Sequence, residues 1–483
     1  MMKLSRLLKN INYSGSPDNR EISHITHDSR KVKKNTLFIA ISGEYNDGHN
    51  YILDAINNGA TAVIANGRAP ITDLVPIIQV DNPRKIMSQI AANFYNHPSE
   101  NLNIIGITGT NGKTTTTQII DHIIKFSRRT SSSLGTLGFN TPSGIISTGF
   151  TTPESIDLQQ ILKTISDGGI EYVPMEISSH AIELYRVSNV KIGIAIFTNL
   201  GYDHLDFHKS QENYFNSKLK LFTNLHKNSI AILNDDDIYT KKIKKKIKCN
   251  YFTFGFNSKS SDLQIKKYTL GLNKSEATFV INNKIFSIET NLIGKFNLLN
   301  IAASFLCSLK LNISSDIIIK AIKHFNNVPG RLEKYHCLNN NTIIIDYAHT
   351  PDAFQNIFEN ICNLKKDNEK ILSIFGCGGN RDRLKRSKMA KISEKYSDYI
   401  YLTNDNPRNE NEDQIIDDIC LGFETNNHTI IKNRKEAIIN VLSKTENSII
   451  LILGKGAEKY QIIRNKKISH SDIEIVKDYI NEN

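Results

Sequence analysis

The stretch LNIIGITGTNGKTTTT, residues 102–117, decides the reading of this chain. Leu102 to Ile107 is a short apolar run with β-branched residues, which predicts a buried strand. Glycines and polar residues then take over, with Gly106, Gly109 and Gly112, and Lys113 and Thr114 follow at once. From Gln118 to Ile124 an apolar stripe at helical spacing predicts a helix. Strand, glycine loop, Lys-Thr and helix together make a phosphate cradle. Glycine lets backbone N–H groups approach phosphate oxygens, and a helix N-terminus adds partial positive charge. Lys113 can reach the β/γ-phosphates, and the Thr114 hydroxyl can ligate Mg²⁺. The usual G-x-x-x-x-G-K-[ST] spacing is not kept, because Ile107 stands where its first glycine would be. A plain strand-to-helix turn with a surface lysine is the competing reading.

At 483 residues the chain exceeds one ordinary core, so three domains are expected. With 39% hydrophobic and 23% charged residues it is a globular protein rather than a disordered one. No run approaches the ~18 apolar residues of a membrane span, and the basic start, Met1 to Leu8, is not followed by a signal-like apolar segment. The six cysteines are scattered without a C-x-x-C, which argues against disulfides or zinc and fits a reducing cytoplasm. A net charge of +11 admits nucleic acid, an anionic surface or an anionic substrate. Six lysines lie between 241 and 248. No aromatics interleave there to stack bases, so a solvated helix face is favoured over nucleic-acid binding.

On the N-terminal side of the loop, residues 1–98 read as a first α/β unit. Strands are expected at Thr36 to Ile41, Ala62 to Ile64 and Ile77 to Val80, with a helix over Tyr51 to Asn58. Pro98 to Asn101 reads as a linker. Residues 99–330 form a second unit. Tyr172 to Glu176 looks like a strand end carrying an acid, and Ile192 to Phe197 a strand running into a His-rich loop around His204. Ligands collect at the carboxyl ends of such strands, so Glu176 and His204 could share a cleft with Lys113. A hard Mg²⁺ held mainly by oxygen suits Thr114 and Glu176 better than zinc. Each histidine can equally be an ordinary loop residue. Residues 251–290 alternate in short β-like pieces and predict an antiparallel patch. Asn297 and Asn300, one helical turn apart, could face a nucleotide, or cap and pack.

Residues 331–483 form a third unit. Four strands, at Thr342 to Ile345, Ile371 to Phe375, Tyr399 to Thr403 and Ile449 to Leu453, each end in a polar loop, with helical stretches between. That predicts a doubly wound, Rossmann-like domain with its loops on one rim. No G-x-G-x-x-G is present, so NAD is not expected. The rim gathers Arg381, Asp405, Arg408 and Glu458. Arginine reads a carboxylate and a carboxylate reads an ammonium, so the set suits an amino-acid head group, unless it is a surface ion-pair set. ATP on one unit and an amino acid on another suggest carboxylate activation: an acyl phosphate forms, an amine attacks it, and phosphate leaves.

The string Thr108 to Thr117, Glu176 with Ser178-Ser179-His180, the loop Asp203 to Asp206, Asp346 to Asp352, Asp405-Asn406-Pro407-Arg408 and Gly454 to Gln461 together resemble the Mur ligases, in order and over essentially the whole chain. The resemblance implies an α/β, three-domain architecture: a UDP-substrate unit (1–98), a central P-loop-type ATPase unit (99–330) and an amino-acid-binding unit (331–483). The Asp405 to Arg408 loop implies addition of meso-diaminopimelate to UDP-MurNAc-L-Ala-D-Glu in cytoplasmic peptidoglycan precursor synthesis. ATP would be the co-substrate, Mg²⁺ the cofactor and a monomer the default. By this resemblance Gly109, Thr110, Asn111, Gly112, Lys113, Thr114 and Thr115 would hold the ATP phosphates. Asn297, Arg331, Asp346 and His349 would close the nucleotide site. Thr114, Glu176, His204 and Lys218 would surround Mg²⁺, with Lys113, Glu176, His204 and Lys218 as the catalytic set. Lys218 matches the family's carboxylated lysine, although the sequence alone reads it as an exposed helix lysine.

The UDP substrate would meet His27, Ser29, Glu44, Tyr45, Asn46, Phe150, Thr151, Thr152, Ser178 and Arg186. Diaminopimelate would meet Arg381, Asp405, Asn406, Pro407, Arg408, Gly454 and Glu458. Arg408 would take its distal carboxylate and Glu458 its distal ammonium. Lysine lacks that carboxylate and would leave Arg408 desolvated and unpaired. Three positions depart from the family pattern. Ala457 stands where histidine is common, Leu184 where a polar residue contacts the nucleotide sugar, and Phe150 where asparagine is expected. A ligase adding L-lysine, or one resembling folylpolyglutamate synthetase, is the alternative within the same chemistry.

Overall fold

Burial on both faces of one strand sets the centre of the molecule. In the computed structural model, which describes residues 1–482 except 44, 45, 71, 142, 143, 258, 259, 338 and 465, the first expected strand is Asn103–Thr108. Ile105 and Ile107 face the helices Lys113–Phe126 and Lys295–Lys310, while Ile104 faces the opposite core with Leu158, Leu162 and Phe215. A strand buried on both faces belongs in the interior of a parallel sheet covered by helices. Tyr172–Glu176 and Ile192–Phe197 flank it in parallel, inside an eleven-stranded sheet. The sheet continues through Ile230–Asn234 and Asn250–Gly255 into the antiparallel meander Leu263–Thr269, Ser275–Ile281 and Lys284–Thr290. The expected antiparallel patch is therefore an extension of the central sheet.

The N-terminal sheet has four parallel strands in chain order, His24–Thr26, Thr36–Ile39, Ala60–Ala65 and Ile77–Gln79. Pro98–Asn101, read as a linker, connects the helix Pro83–Phe94 to the strand Asn103–Thr108 as an ordered segment. It is a 3-10 turn with Pro98 and Ser99 buried, and Ser99 Oγ accepts the Lys191 N–H at 3.0 Å. Proline at the first position presets the turn, and the hydroxyl anchors it to the central unit.

The third sheet has the spatial order Glu333–His336, Thr342–Asp346, Ser448–Leu453, Lys370–Phe375, Tyr399–Leu402 and His428–Ile430. All neighbours pair in parallel except the first. Helices Pro351–Cys362, Leu384–Tyr396 and Glu412–Cys420 cover one face, and Arg434–Lys444 with Asp472–Glu482 covers the other. The carboxyl ends of its strands point their loops toward the central sheet's phosphate loop across a shared cleft. All six cysteines are free. Among the described residues no helix is long and apolar enough to cross a membrane. The lysine run around Thr240–Lys244 is exposed apart from the partly buried Lys244, which pairs with Asp235.

Candidate active site

The loop after Asn103–Thr108 can exist only with glycine at two points. Gly109 has φ +154°, and a Cβ there would stand 1.9 Å from Thr198 Oγ1. Gly112 has φ +85°, and its Cβ would meet Asn300 Oδ1 at 2.4 Å. The close approach leaves Thr110 and Asn111 against Asn199: Thr110 N donates to Asn199 O at 2.9 Å, and Asn111 N to Asn199 Oδ1 at 2.9 Å. Helix Lys113–Phe126 starts directly behind, so its free N–H groups open onto a cavity of about 670 Å³. Thr110 to Thr115 line this cavity together with Glu176, His204, Asn297, Arg331, Asp346 and His349. The expected nucleotide set, apart from Gly109, which is not in the lining, therefore converges on one space between the central and third sheets.

Two buried lysines meet under the loop. Lys113 Nζ donates to Gly109 O and Thr110 O, each at 2.9 Å. Lys218 Nζ donates to the same Gly109 O at 3.0 Å and lies 4.5 Å from the Tyr214 ring centroid. Lys218 is 1% exposed, which corrects its reading as a surface lysine. Helix Gln211–Thr223 turns that face inward because Tyr214, Phe215, Ser217 and Leu221 bury beside it. Burial, then the charge of Lys113, pushes the Lys218 amine far below the ordinary lysine range.

Glu176 ends its strand almost fully buried. Thr114 Oγ1 donates to Oε2 at 3.0 Å, the Thr136 N–H to Oε1 at 2.8 Å and the Thr136 hydroxyl to Oε2 at 3.1 Å. Arg331 Nη2 reaches Thr114 Oγ1 at 3.3 Å, and its guanidinium stacks over Tyr347 at 4.5 Å. Asp346 is fixed by the N–H groups of Leu332 and Ala348, both at 2.7 Å. Asn297 and Asn300 face the cavity and also bond each other at 2.9 Å, so lining and packing coexist. His204 adopts φ +54°, and burial pushes its imidazole down to about 4. Burial also lowers His349. Both rings are neutral at neutral pH.

A second cavity, of about 590 Å³, adjoins the first. Arg381, Asp405, Asn406, Arg408, Gly454 and Glu458 line it. The two cavities share Asp203, His204, Tyr347, His349, Thr350 and Asp352 as their common wall. Pro407 is not in the lining; its carbonyl instead lies 1.9 Å from where a Gly379 Cβ would be. The Asn406 amide is used inside the protein: Nδ2 donates to Glu458 Oε2 at 3.0 Å, while Oδ1 accepts from Ile462 N at 2.9 Å and Lys455 Nζ at 3.2 Å. Lys455, fully buried, also bonds Glu458 Oε2 at 2.8 Å. Glu458 thus already carries one internal ammonium beside the cavity. Arg408 sits at φ +55° with Nη1 on Gly379 O at 2.9 Å.

Of the residues expected around the UDP substrate, Thr152, Ser178, Arg186 and His27 fall at the junction of the first and central sheets. Thr152 Oγ1 donates to Glu176 O at 3.0 Å and accepts from Ser178 N at 3.1 Å. Arg186 Nη1 donates to Thr152 O at 2.9 Å, and Nη2 pairs with Glu154 at 2.7 Å. Thr151 Oγ1 lies 3.1 Å from Thr136 Oγ1, and the exposed Phe150 ring lies under Arg186. His27 feels the Glu154 carboxylate, yet burial keeps it below the ordinary histidine value. Ser178 Oγ is engaged as a helix cap for Ala181 N at 3.1 Å. Ser29 opens the 3-10 turn Ser29–Lys31, and Asn46 is exposed, its carbonyl taking the Gly43 N–H at 2.8 Å. Glu44 and Tyr45 lie outside the described residues.

Of the departures, Leu184 is a half-buried helix end, and the Ala457 backbone packs against Gly330. Sequence reasoning missed Thr136, Glu154 and Lys455 as parts of the site. Glu154, two residues past Thr152, and Lys455, inside Gly454 to Glu458, had a signal in their strings. Thr136 sits in an ordinary turn and had none.

Family models match in chain order. "Mur ligase family, catalytic domain" covers residues 21–95, "Mur ligase middle domain" 107–308 and "Mur ligase, glutamate ligase domain" 330–456. A relative from Aquifex aeolicus (strain VF5), named UDP-N-acetylmuramoyl-L-alanyl-D-glutamate--2,6-diaminopimelate ligase, is 42% identical over 463 residues, 95% of this chain and 94% of its own length. The chain belongs to the Mur ligase family. A Clostridium botulinum (strain ATCC 19397 / Type A) relative of the same name is 38% identical across 100% of both chains. A solved structure titled as a UDP-N-acetylmuramoyl-L-alanyl-D-glutamate--2,6-diaminopimelate ligase superposes with TM-score 0.71 at 26% identity, covering 100% of this chain and 99% of its own. The Mur ligase architecture expected from the sequence is present.

Proposed function

We propose that this Mur ligase uses ATP to join meso-diaminopimelate to UDP-MurNAc-L-Ala-D-Glu through an acyl phosphate, in peptidoglycan precursor synthesis. The division of labour is 1–98 for the UDP end, 99–330 for ATP and 331–483 for the amino acid. The observation that carries the reading is the common wall: a phosphate cradle and a pocket lined by arginines and carboxylates meet at Asp203, His204, Tyr347 and His349. The full-length relatives with that activity in their names support the choice of substrates.

ATP phosphates would lie along Gly109 to Thr115, with Lys113 turning from its loop carbonyls to the γ-phosphate. The junction around Thr152 and Arg186 would hold the UDP end, so that the glutamate carboxylate lines up for attack on phosphorus. The O–P bond to ADP breaks as the carboxyl O–P bond forms. The diaminopimelate ammonium gives one proton to solvent, the free amine attacks the carbonyl carbon, the C–N bond forms, phosphate leaves with the electrons of the C–O bond, and the nitrogen's second proton passes to the departing phosphate. Arg408 would hold the distal carboxylate. Glu458 would hold the distal ammonium with the oxygen that Lys455 leaves free.

The donors present fit a hard cation: the Thr114 hydroxyl and Glu176 carboxylate meet at 3.0 Å, and His204 is neutral. Among the described residues no three His, Cys, Asp or Glu side chains converge as a metal cluster, so the protein's own shell is short of anions. Lys218 would make up the deficit once carboxylated, since only an unprotonated amine adds CO₂ and burial pushes this amine far below the ordinary lysine range. Bound Mg²⁺ would supply charge neutralisation at the phosphates.

The test is phosphate release with ATP, Mg²⁺ and UDP-MurNAc-L-Ala-D-Glu, offering meso-diaminopimelate or L-lysine in separate reactions. Release with diaminopimelate alone is expected. Release with lysine instead would keep a ligase and remove the assigned amino acid, and silence with both would remove the reaction.

A further inference from the structure

Arg386 has no part in the chemistry above, yet it is a fully buried arginine beside the amino-acid pocket. From helix Leu384–Tyr396 it forks into Glu410. Nη1 lies 2.8 Å from Oε1 and Nη2 lies 2.8 Å from Oε2. Nη1 also reaches Asp418 Oδ2 at 2.8 Å, and Nη2 donates to Gly378 O at 3.2 Å. Glu410 Oε2 takes the Asn380 N–H at 2.9 Å as well. One guanidinium and one carboxylate therefore grip the glycine loop at Gly378 and Asn380, immediately before and after Gly379.

Gly379 is where that loop touches Arg408. Its carbonyl accepts Arg408 Nη1 at 2.9 Å, and its N–H donates to Asn406 O at 2.9 Å. The backbone fit has no slack at Gly379, where a Cβ would stand 1.9 Å from Pro407 O. Neither Arg386 nor Glu410 lines the pocket. Replacing a buried ion pair by apolar residues is often neutral for stability, so stability alone does not account for one here. Arg386 holds the Glu410 carboxyl down at about 2, ionised at any working pH.

We propose that the Arg386–Glu410 pair is a positioning unit for amino-acid selection, fixing the Gly378–Gly379 peptide against which the Arg408 guanidinium is aimed. The inference rests on the reading that Arg408 takes the distal carboxylate of diaminopimelate. Loosening the pair frees the Arg408 head and weakens its two-pronged grip on that carboxylate, while the phosphate loop on the opposite sheet is untouched.

The experiment is a double-mutant cycle on the full-length enzyme, read as phosphate release. Glu410→Gln in the unaltered background is expected to raise KM for meso-diaminopimelate about tenfold, with kcat and KM for ATP within about twofold. In an Arg408→Ala background the same change is expected to alter that KM less than about twofold, because its route of action is gone. Equal fold-changes in both backgrounds would overturn the proposal. So would an unchanged KM in the first, or a matching rise in KM for ATP. Asp418→Asn removes one Arg386 partner and leaves Glu410 in place. It is expected to shift KM the same way by a smaller factor, and its own cycle with Arg408→Ala decides the matter if Glu410→Gln fails to fold. Absence of release from the unaltered enzyme would overturn the ligase reading itself, and the proposal with it. Release from the unaltered enzyme with additive variants overturns only the proposal.

Discussion

The phosphate cradle and the amino-acid rim both sit at the carboxyl ends of parallel strands, and they handle charge in opposite ways. In the cradle, two lysines are sunk against one backbone carbonyl with no carboxylate of the described residues in hydrogen-bond contact, and burial lowers both amines. On the rim, each buried cation is matched: Lys455 by Glu458, Arg386 by Glu410 and Asp418, and Arg434 by Asp472. The cradle's lysine amines rest on backbone carbonyls rather than on internal carboxylates, as donors awaiting phosphates should. The rim is internally balanced and leaves Arg408 and Arg381 to greet a substrate. Carbonyl-bound cations welcome any polyanion, whereas paired cations aim one particular group, so the difference separates general affinity from selection.

The contrast can be broken first at Lys113. Lys113→Ala should cut ATP-dependent phosphate release by about 10²–10³-fold, in line with loss of one charge-stabilising donor, without moving KM for diaminopimelate. A shared change in that KM would show that the two regions are not separable. Next is Asp472→Asn, which leaves the Arg434 guanidinium buried and unpaired, with Nη1 already lacking a partner. Urea unfolding should show a loss of about 3–5 kcal/mol. A loss under about 1 kcal/mol would mean that pairing on the rim is not what holds its cations. Arg408→Lys keeps the charge and loses the fork. It should raise KM for diaminopimelate roughly tenfold and narrow the preference over L-lysine, with kcat for bound substrate nearly unchanged.

The smallest effect is in pH. Folding lowers the Lys218 pKa, so between its folded value and about 10.4 the unfolded chain binds a proton that the folded chain refuses. Stability from this group therefore rises with pH through that window and is lost as pH falls. In bicarbonate-free buffer the urea midpoint should climb from pH 7.5 to 9.5, and Lys218→Met should flatten the climb. An identical slope in the variant would place the effect elsewhere, Lys113 being the next candidate because its shift has the same sign.

Local strings made much of this legible. Lys113 and Thr114 could be read because a β-branched run, glycines and a helix stripe are neighbours in sequence, and the rim loops because each follows its own strand. What could not be read depends on partners far along the chain. Nothing near Lys218 tells that Gly109, over a hundred residues away, closes over its amine. Glu176 was a fair guess as a strand-end acid, but Thr136, which orients it, lies in a turn like any other. Pro98 to Asn101 looked like a linker because Pro, Ser and Asn are turn formers, and the anchor that buries it is the backbone of Lys191. The single eleven-stranded sheet was likewise hidden, since strand pairing between Asn250–Gly255 and Leu263–Thr269 leaves no periodic mark.

Arg408 stands in the left-handed region at φ +55°, its N–H on Ile462 O at 2.9 Å and its carbonyl taking the Arg464 N–H at 2.6 Å. A long side chain there costs about 1 kcal/mol or more that glycine or asparagine would not. Drift toward either would relax the backbone while erasing the group that distinguishes one amine from another. Fidelity at this position is thus kept against the chain's own conformational preference. Screening for thermostable variants alone would select at residue 408 for promiscuity.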